Sequence, residues 1–189
     1  MDDDILVMEE IDSEVDSSNV DINVDKFTSD NSTYACMANP REQDLSNLRD
    51  LIDQTAPPFT PAVLDDDPHV TLVYSREQHV DIEAITQYLA DHTGLPTAVV
   101  DSVEYWEGHD KAGCIVLKLR SYDADSLNRA FIAAGAKYSF DDFTAHMTLA
   151  YDIGEKTPAI WDWLEYANPV IRTAGLNLVF NSIKISDCK

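Results

Sequence analysis

The chain has 189 residues, 44% of them hydrophobic, and a formal net charge of −22. This length and hydrophobic content can bury a sizeable core, as one domain or as two small lobes. The acidic balance argues against long RNA or DNA as a partner, because their phosphates must be neutralised by Lys and Arg, and no apolar run approaches the roughly 18 residues of a membrane span.

The first 30 residues differ in composition from the rest of the chain. They hold eleven acidic residues against Lys26 alone, so they carry −10 of the net charge and residues 31–189 carry the remaining −12. Low hydrophobicity with high like charge is typical of disorder. We predict a disordered acidic tail over residues 1–30 and one folded domain over residues 31–189. The acidic start is also unlike a signal peptide, which predicts a cytoplasmic protein.

Hydrophobic periodicity predicts alternating strands and helices after this tail. A first strand is predicted over residues 32–38, and a helix follows in which Asn39 is the N-cap and Pro40 the first helical residue. The later predicted elements, in chain order, are a strand over residues 69–74, a helix over 81–92, strands over 97–106 and 113–120, a helix from Asp123 to Gly135, a strand over 146–151, a short helix capped by Thr157, and a final strand within 171–186.

Two of the predicted strands repeat each other. Residues 69–74 and 146–151 both follow the pattern His-x-Thr-Leu-x-Tyr. Because alternate residues of a strand share a face, the His and Thr of each motif point to one side, and the apolar residues and the Tyr are expected to pack on the core. Each motif strand therefore presents an imidazole and a hydroxyl away from the core.

Two histidines that face each other across a cleft suit acid-base cleavage of a phosphodiester. One neutral imidazole takes a proton from the attacking hydroxyl, and one imidazolium protonates the leaving oxygen. Thr71 and Thr148 are placed to donate hydrogen bonds to the non-bridging oxygens, so neither a metal nor a cofactor is expected. A lone His69 or His146 would more often be an ordinary surface or core residue. The matched pair favours catalytic roles for all four residues.

The doubled His-x-Thr pattern resembles the signature of the 2H phosphoesterases, from about Thr33 to the C-terminus. The resemblance implies an α+β fold with two pseudo-symmetric β-α-β lobes and antiparallel sheets around a central cleft. Within that superfamily, a tyrosine-bearing strand upstream of the first motif and Trp106 before a hairpin are most similar to the phage anti-CBASS nucleases, which open cyclic oligonucleotide signals. The acidic extension departs from these compact enzymes.

Tyr34 and Trp106 are the candidate substrate-binding residues. An aromatic ring can stack on a nucleobase, and such a contact is worth about 1 to 3 kcal/mol per base. Core packing is the commoner role of an aromatic residue on a strand. The family resemblance favours stacking for these two residues.

These observations predict a metal-independent phosphodiesterase that hydrolyses 3′-5′ bonds of cyclic oligonucleotide second messengers and counters host CBASS signalling, in the host cytoplasm if phage-encoded. An RNA 2′,3′-cyclic phosphodiesterase of the same superfamily and a non-catalytic nucleotide-binding module stay open as alternatives. The expected partner is a small cyclic nucleotide, with no long nucleic acid and no membrane, and the oligomeric state is left open. Cys36, Cys114 and Cys188 are odd in number and show no metal-like spacing, so we expect reduced thiols.

Overall fold

A mixed set of strands and helices carries the two motifs. The structure is a computed structural model, and it describes residues 20–24, 33–75, 80–91, 94–107, 112–137 and 142–186. The strands in these ranges are β1 (Asp21–Val24), β2 (Thr33–Pro40), β3 (His69–Ser75), β4 (Thr97–Glu107), β5 (Gly113–Arg120), β6 (His146–Ala150) and β7 (Asn177–Ser186). The helices are α1 (Glu42–Gln54), α2 (Val63–Asp66), α3 (Ile82–Ala90), α4 (Tyr122–Ala133) and α5 (Pro158–Ala174).

Strand β7 joins two antiparallel halves of the sheet. The strand order is β3-β2-β7-β4-β5-β6, and every neighbouring pair in this order is antiparallel. Residues 177–179 of β7 pair with β4, whereas residues 180–186 pair with β2. Strands β3 and β6 stand at opposite ends of the order and still contact each other. The sheet therefore brings both motif strands together, and the predicted α+β fold with two antiparallel halves is confirmed.

One hydrophobic cluster holds the two halves together. Helix α4 packs on β3 and β4, α5 packs on β4, and α1 contacts β7 and α5. Full burial of a large apolar side chain contributes about 1.5 to 3 kcal/mol. Leu72 on β3 and Met147 on β6 are among the fully buried members, so both motif strands are fixed by the core.

Two asparagine amides tie helices to strands. Asn128 of α4 donates a hydrogen bond to the carbonyl oxygen of Leu72, at 2.8 Å. Asn168 of α5 accepts from the backbone nitrogen of Val103 at 2.9 Å and donates to its carbonyl at 3.0 Å. These bonds satisfy backbone groups that would be costly to leave unpaired. They fix β3, which carries the first motif, and β4, which carries Trp106.

Strand β1 corrects the prediction for the acidic tail. Residues Asp21–Val24 pair in parallel with residues 182–185 of β7, so the predicted disorder is wrong for this segment. Val20 and Ile22 pack against the core, whereas Asp21 and Asn23 alternate with them. This alternation suits a strand with one covered face. The rest of residues 1–30, and the predicted boundary at residue 31, lie outside the described residues.

The start of α1 also differs from the prediction. Asn39 and Pro40 end β2, and the helix begins at Glu42. Asn39 has a φ of 52° and its Nδ2 donates to the Oγ of Ser182 at 2.9 Å, so it does not cap the helix. Because Pro40 pairs with Phe180 of β7, strand β2 continues through the two residues that were predicted to begin the helix.

Helix α5 is longer than the short helix predicted. Thr157 caps it as predicted, since its side chain accepts a hydrogen bond from the backbone nitrogen of Ile160. The helix continues through Pro169, although an internal proline costs about 3 kcal/mol. Its buried apolar stripe, which ends at Ile171, offsets that cost. The final strand therefore begins at Asn177.

Candidate active site

Each His-x-Thr motif is followed by a β-bulge. The register between β2 and β3 shifts so that Leu72 has no partner, and the register between β5 and β6 shifts so that Leu149 has none. One extra residue reverses the alternation of side chains along a strand. Tyr74 and Tyr151 therefore return to the same face as the threonines and line the cleft between the halves. Our prediction that both tyrosines pack on the core is wrong.

The cleft between the motif strands has a volume of about 480 Å³. Five of the six residues predicted for the site line it, and they come from both halves: Tyr34, Thr71, Trp106, His146 and Thr148. The sixth, His69, lies beside Tyr34, with ring centroids 6.2 Å apart and the rings edge to face. The structure thus brings the predicted residues to one place.

Both histidines are oriented by a backbone carbonyl two residues upstream. Nδ1 of His69 lies 2.7 Å from the carbonyl oxygen of Asp67, and Nδ1 of His146 lies 2.8 Å from that of Thr144. A carbonyl oxygen can only accept, so Nδ1 carries the hydrogen in both rings. In each neutral ring Nε2 is therefore the nitrogen with a free lone pair. The two imidazoles can exchange protons with a substrate through equivalent atoms.

The surroundings of the two rings differ. His146 packs against Trp106, with ring centroids 4.5 Å apart. Burial lowers the pKa of His146 below its ordinary value, the Thr144 carbonyl opposes the shift, and the positive charge of His69 adds to it. His146 therefore favours its neutral form, which can accept a proton.

His69 has a carboxylate neighbour instead. Oδ2 of Asp67 lies 3.3 Å from Nδ1 of His69. The other carboxylate oxygen, Oδ1, lies 3.7 Å from Nζ of Lys184 on β7. Both imidazoles thus contact a backbone carbonyl two residues upstream, and His69 also has the carboxylate of Asp67 beside it.

Tyr34 contacts the first motif through its hydroxyl as well as its ring. The hydroxyl shares hydrogen bonds with the side chains of Thr71 and Cys36. Burial raises the pKa of Tyr34 well above its ordinary value, so the hydroxyl stays protonated. The ring stands edge to face against Tyr74, with centroids 6.3 Å apart. Tyr34 is therefore held by contacts on two sides before any substrate binds.

Trp106 is held by a short polar network on the second half. Its Nε1 donates to Oε2 of Glu104 at 2.9 Å, and Oε1 of the same carboxylate accepts from Nζ of Lys118 at 3.2 Å. Partial burial opposes ionisation, but the hydrogen bonds from Trp106 and Lys118 hold the pKa of Glu104 below its usual value. This network fixes the orientation of the indole beside His146.

Several residues of the site were not predicted from the sequence. Tyr74 and Tyr151 were assigned to the core, because no local pattern reveals a bulge. Asp67 lies in a run of three aspartates, and only its position beside His69 distinguishes it from the two before it. Lys184 lies far along the chain, and no motif links it to the site.

Neither a metal cluster nor a membrane helix is found in the described part of the chain. No group of three or more His, Cys, Asp or Glu side chains there could hold a metal ion. None of the helices there combines the length and the apolar composition that a bilayer-spanning segment needs. Cys36 and Cys114 are free thiols, and Cys188 lies outside the described residues.

Comparison with known proteins shows similarity in sequence and in fold. The profile of the family described as Anti-CBASS protein Acb1 matches residues 31–172. A relative named Anti-CBASS protein Acb1, from Vibrio phage KVP40, is 31% identical over 84 residues, which cover 44% of this chain and 50% of the relative. A relative of the same name from Caulobacter sp. strain RHG1 is 29% identical over 97 residues, covering 51% of this chain and 15% of the relative. The matches thus span half of the first relative and much less of the second.

The structure of Kluyveromyces marxianus Usb1 is similar in fold. Its TM-score is 0.54, and the similarity covers 82% of this chain and 93% of that protein. The sequence identity is 12%. At this identity the similarity concerns the fold alone.

Proposed function

The chain belongs to the Anti-CBASS protein Acb1 family, and we propose that it is a phosphodiesterase that hydrolyses 3′-5′ bonds of cyclic oligonucleotide signals. Its action would counter CBASS signalling in the cytoplasm of an infected host cell. The observation that carries this proposal is the meeting of two His-x-Thr motifs, from different halves of the fold, at one cleft. The family assignment agrees with this chemistry.

The proposed reaction starts with attack of the neighbouring 2′-hydroxyl on the phosphorus. Nε2 of one imidazole accepts the proton of that hydroxyl, and Nε2 of the other donates a proton to the 5′-oxygen as the P–O bond breaks. The products are a 2′,3′-cyclic phosphate and a 5′-hydroxyl, and the two rings have exchanged protonation states. Water can then open the cyclic phosphate with the roles reversed. Both steps balance without a metal or a cofactor.

The threonines supply the stabilisation of charge. Thr71 and Thr148 line the cleft at equivalent positions of their motifs, and Thr148 is 8% exposed. Hydroxyl donors aimed at the non-bridging oxygens stabilise the negative charge that develops in the transition state. Because they are fixed by their strands, little reorganisation is needed when the charge develops.

The cleft and the charge of the domain favour a small substrate. A volume of about 480 Å³ is typical of pockets that enclose small ligands. The net charge of −12 outside the first 30 residues repels a long polyanion over the whole surface. A cyclic di- or trinucleotide carries few charges and offers bases to Tyr34 and Trp106. Stacking on both rings would contribute about 2 to 6 kcal/mol at the usual worth per base.

A substrate panel with a chelator present tests the proposal. Cyclic dinucleotides, cyclic trinucleotides, RNA of ten or more nucleotides, and RNA with 2′,3′-cyclic ends are compared at equal phosphate concentration, with His146→Ala as the inactive control. We expect the cyclic oligonucleotides to be cut fastest. Faster opening of the RNA ends would support RNA processing instead, and binding without turnover would support a binding module. Loss of activity with chelator, restored by a divalent metal, would exclude the metal-independent mechanism.

A further inference from the structure

The second half of the cleft carries an aromatic residue that the proposed reaction does not use. Tyr151 follows β6, lines the cleft and is 58% exposed, although core packing is the commoner role of an aromatic residue at a strand. The bulge at Leu149 turns it to the cleft face, and bulges next to active sites commonly redirect a side chain. An exposed ring that a bulge places at the reaction cleft is suited to contact a substrate.

The matching residue of the first half packs against another ring of the protein. Tyr74, which the other bulge turns to the cleft, pairs with Tyr34 across β2 and β3. Their rings stand edge to face, with centroids 6.3 Å apart. In the second half Cys114 occupies the position that Tyr34 has in the first, two residues before the partner of the motif threonine. A small thiol side chain therefore lies beside Tyr151 where the first half has an aromatic ring.

Three residues of the cleft form a row across the segments β4, β5 and β6. Beyond the pairing of Ala150 with Ile115, the next residues of the two segments, Tyr151 and Cys114, come side by side. On its other side Cys114 pairs with Trp106 of β4, and all three residues of the row line the cleft. Neighbouring strands lie about 4.8 Å apart, so the two backbones that carry the rings lie roughly 9 to 10 Å apart. The row therefore forms a slot with two aromatic walls and a small residue as its floor.

The slot has the size and the chemistry of a nucleobase site. A base between two rings makes van der Waals contact at about 3.5 Å on each face, so it needs roughly 7 Å between the rings. The wall formed by Trp106 is fixed by its hydrogen bond to Glu104 at 2.9 Å. The chain after the tyrosine is also fixed, because the backbone nitrogen of Ile153 donates to the carbonyl oxygen of Gly113 at 3.0 Å. Burial raises the pKa of Cys114, so the floor is a neutral thiol that does not repel a nucleotide.

We propose that Tyr151 and Cys114 complete a base-binding slot with Trp106, in which one nucleobase of the cyclic substrate is enclosed between the phenol and indole rings. This inference rests on the proposed function for the identity of the ligand. It assigns Tyr151 and Cys114 to substrate binding and gives them no part in proton transfer. Because the slot contacts a base and not the reacting phosphate, changes in it should raise KM and leave kcat nearly unchanged.

The first test measures binding of a cyclic dinucleotide that the proposed reaction cannot cleave. Cyclic di-(2′-deoxyadenosine monophosphate) lacks the attacking 2′-hydroxyl, so its Kd can be measured by calorimetry with the full chain and both histidines in place. We expect Tyr151→Ala to raise this Kd by about five- to 150-fold, which corresponds to the usual worth of stacking on one base. Tyr151→Phe keeps the ring and should restore most of the affinity. The matched control Tyr166→Ala removes a tyrosine that is 59% exposed on α5 and does not line the cleft, so it should leave the Kd unchanged.

The second test fills the slot from its floor. Cys114→Phe places a ring at the position that Tyr34 has in the first half, so it should weaken binding of the same probe to a similar extent. Cys114→Ser keeps the small size of the side chain and should lose much less affinity than Cys114→Phe. Melting temperatures of the variants show that each is folded at the temperature of the measurement. A folded Cys114→Phe variant that binds as tightly as the wild type would show that no base enters the slot.

Cleavage of cyclic di-AMP, which keeps the 2′-hydroxyl, separates failure of the slot from failure of the proposed function. If the wild type cuts cyclic di-AMP and Tyr151→Ala binds the probe as tightly as the wild type, the slot is refuted and the phosphodiesterase proposal stands. If binding of the probe depends on Tyr151 but the wild type cuts no cyclic oligonucleotide, the slot stands and the proposed hydrolysis is refuted. A fall in kcat of Tyr151→Ala without a rise in KM would also overturn the assignment of Tyr151 to binding.

Discussion

Replacing Tyr34 by phenylalanine separates two roles that its position allows. Phenylalanine keeps the ring that stands 6.2 Å from His69 and 6.3 Å from Tyr74. It removes the hydroxyl that shares hydrogen bonds with Thr71 and Cys36. If the hydroxyl orients Thr71 towards the phosphate, its loss affects the transition state and leaves stacking on the base unchanged.

The size of the effect follows from a single neutral hydrogen bond. Such a bond has a net worth of about 0.5 to 1.5 kcal/mol. Because 1.36 kcal/mol changes a rate tenfold, we expect Tyr34→Phe to lower kcat by about two- to thirteenfold with little change in KM. Tyr34→Ala removes the ring as well and should raise KM in addition.

Steady-state kinetics on a cyclic dinucleotide measure both variants, with Tyr122→Phe as control. Tyr122 is 81% exposed and does not line the cleft, so its hydroxyl should not matter. A kcat for Tyr34→Phe equal to that of the wild type would refute the orienting role of the hydroxyl. A large rise in KM for Tyr34→Phe would show that the hydroxyl, and not the ring alone, binds the substrate.

Four further outcomes are expected. His69→Ala and His146→Ala should each abolish nearly all turnover, and the double variant should be little worse than either, because acid and base act in one transition state. A loss of kcat in the double variant equal to the product of the two single losses would contradict this. Because burial lowers the pKa of His146, turnover should persist as the pH falls through 6.5 and be lost only below it, which a pH-rate profile checks. Folding stability should decline as the pH falls below 6.5, because the unfolded chain then binds the proton more readily than the folded protein does. Denaturant titrations at several pH values measure this decline. Asn128→Ala should lower the free energy of unfolding by about 1 to 3 kcal/mol, because it leaves a buried carbonyl of the bulge without its donor, and an unchanged denaturation midpoint would contradict this. Removal of residues 1–19 should leave the melting temperature unchanged, whereas removal of residues 1–24 should lower it by taking away β1. Equal melting temperatures of the two truncated proteins would show that β1 contributes nothing to stability.

Most residues of the candidate site were predictable because they lie in short local patterns. Two His-x-Thr segments carry their residue types at fixed spacing, and a strand necessarily places the His and Thr of each on one face. Helix α3 was also predictable, because Asp81 caps it and its buried residues follow the helical period. These features depend on neighbours within a few positions, which a sequence displays directly.

Other features depend on pairing between distant segments. The bulges at Leu72 and Leu149 arise from the register with β2 and β5. They turn Tyr74 and Tyr151 into the cleft, whereas regular alternation of side chains along a strand would place both tyrosines on the opposite face. Strand β1 forms because β7 offers residues 182–185 as a partner, although β1 lies within the acidic first 30 residues. Hydrogen bonding to a partner strand outweighs local propensity in each of these cases.

The charge asymmetry of the site is likewise a tertiary property. In the sequence Asp67 is one of three consecutive aspartates, and Lys184 lies more than a hundred residues further along the chain. Only the sheet, which sets β7 beside β2 and β2 beside β3, brings Lys184 to Asp67 and Asp67 to His69. The sequence by itself determined which residue types each motif strand presents on one face. Electrostatic interaction falls off with distance in space and takes no account of distance along the chain, so only the tertiary structure decided which charged groups lie near each of the two histidines.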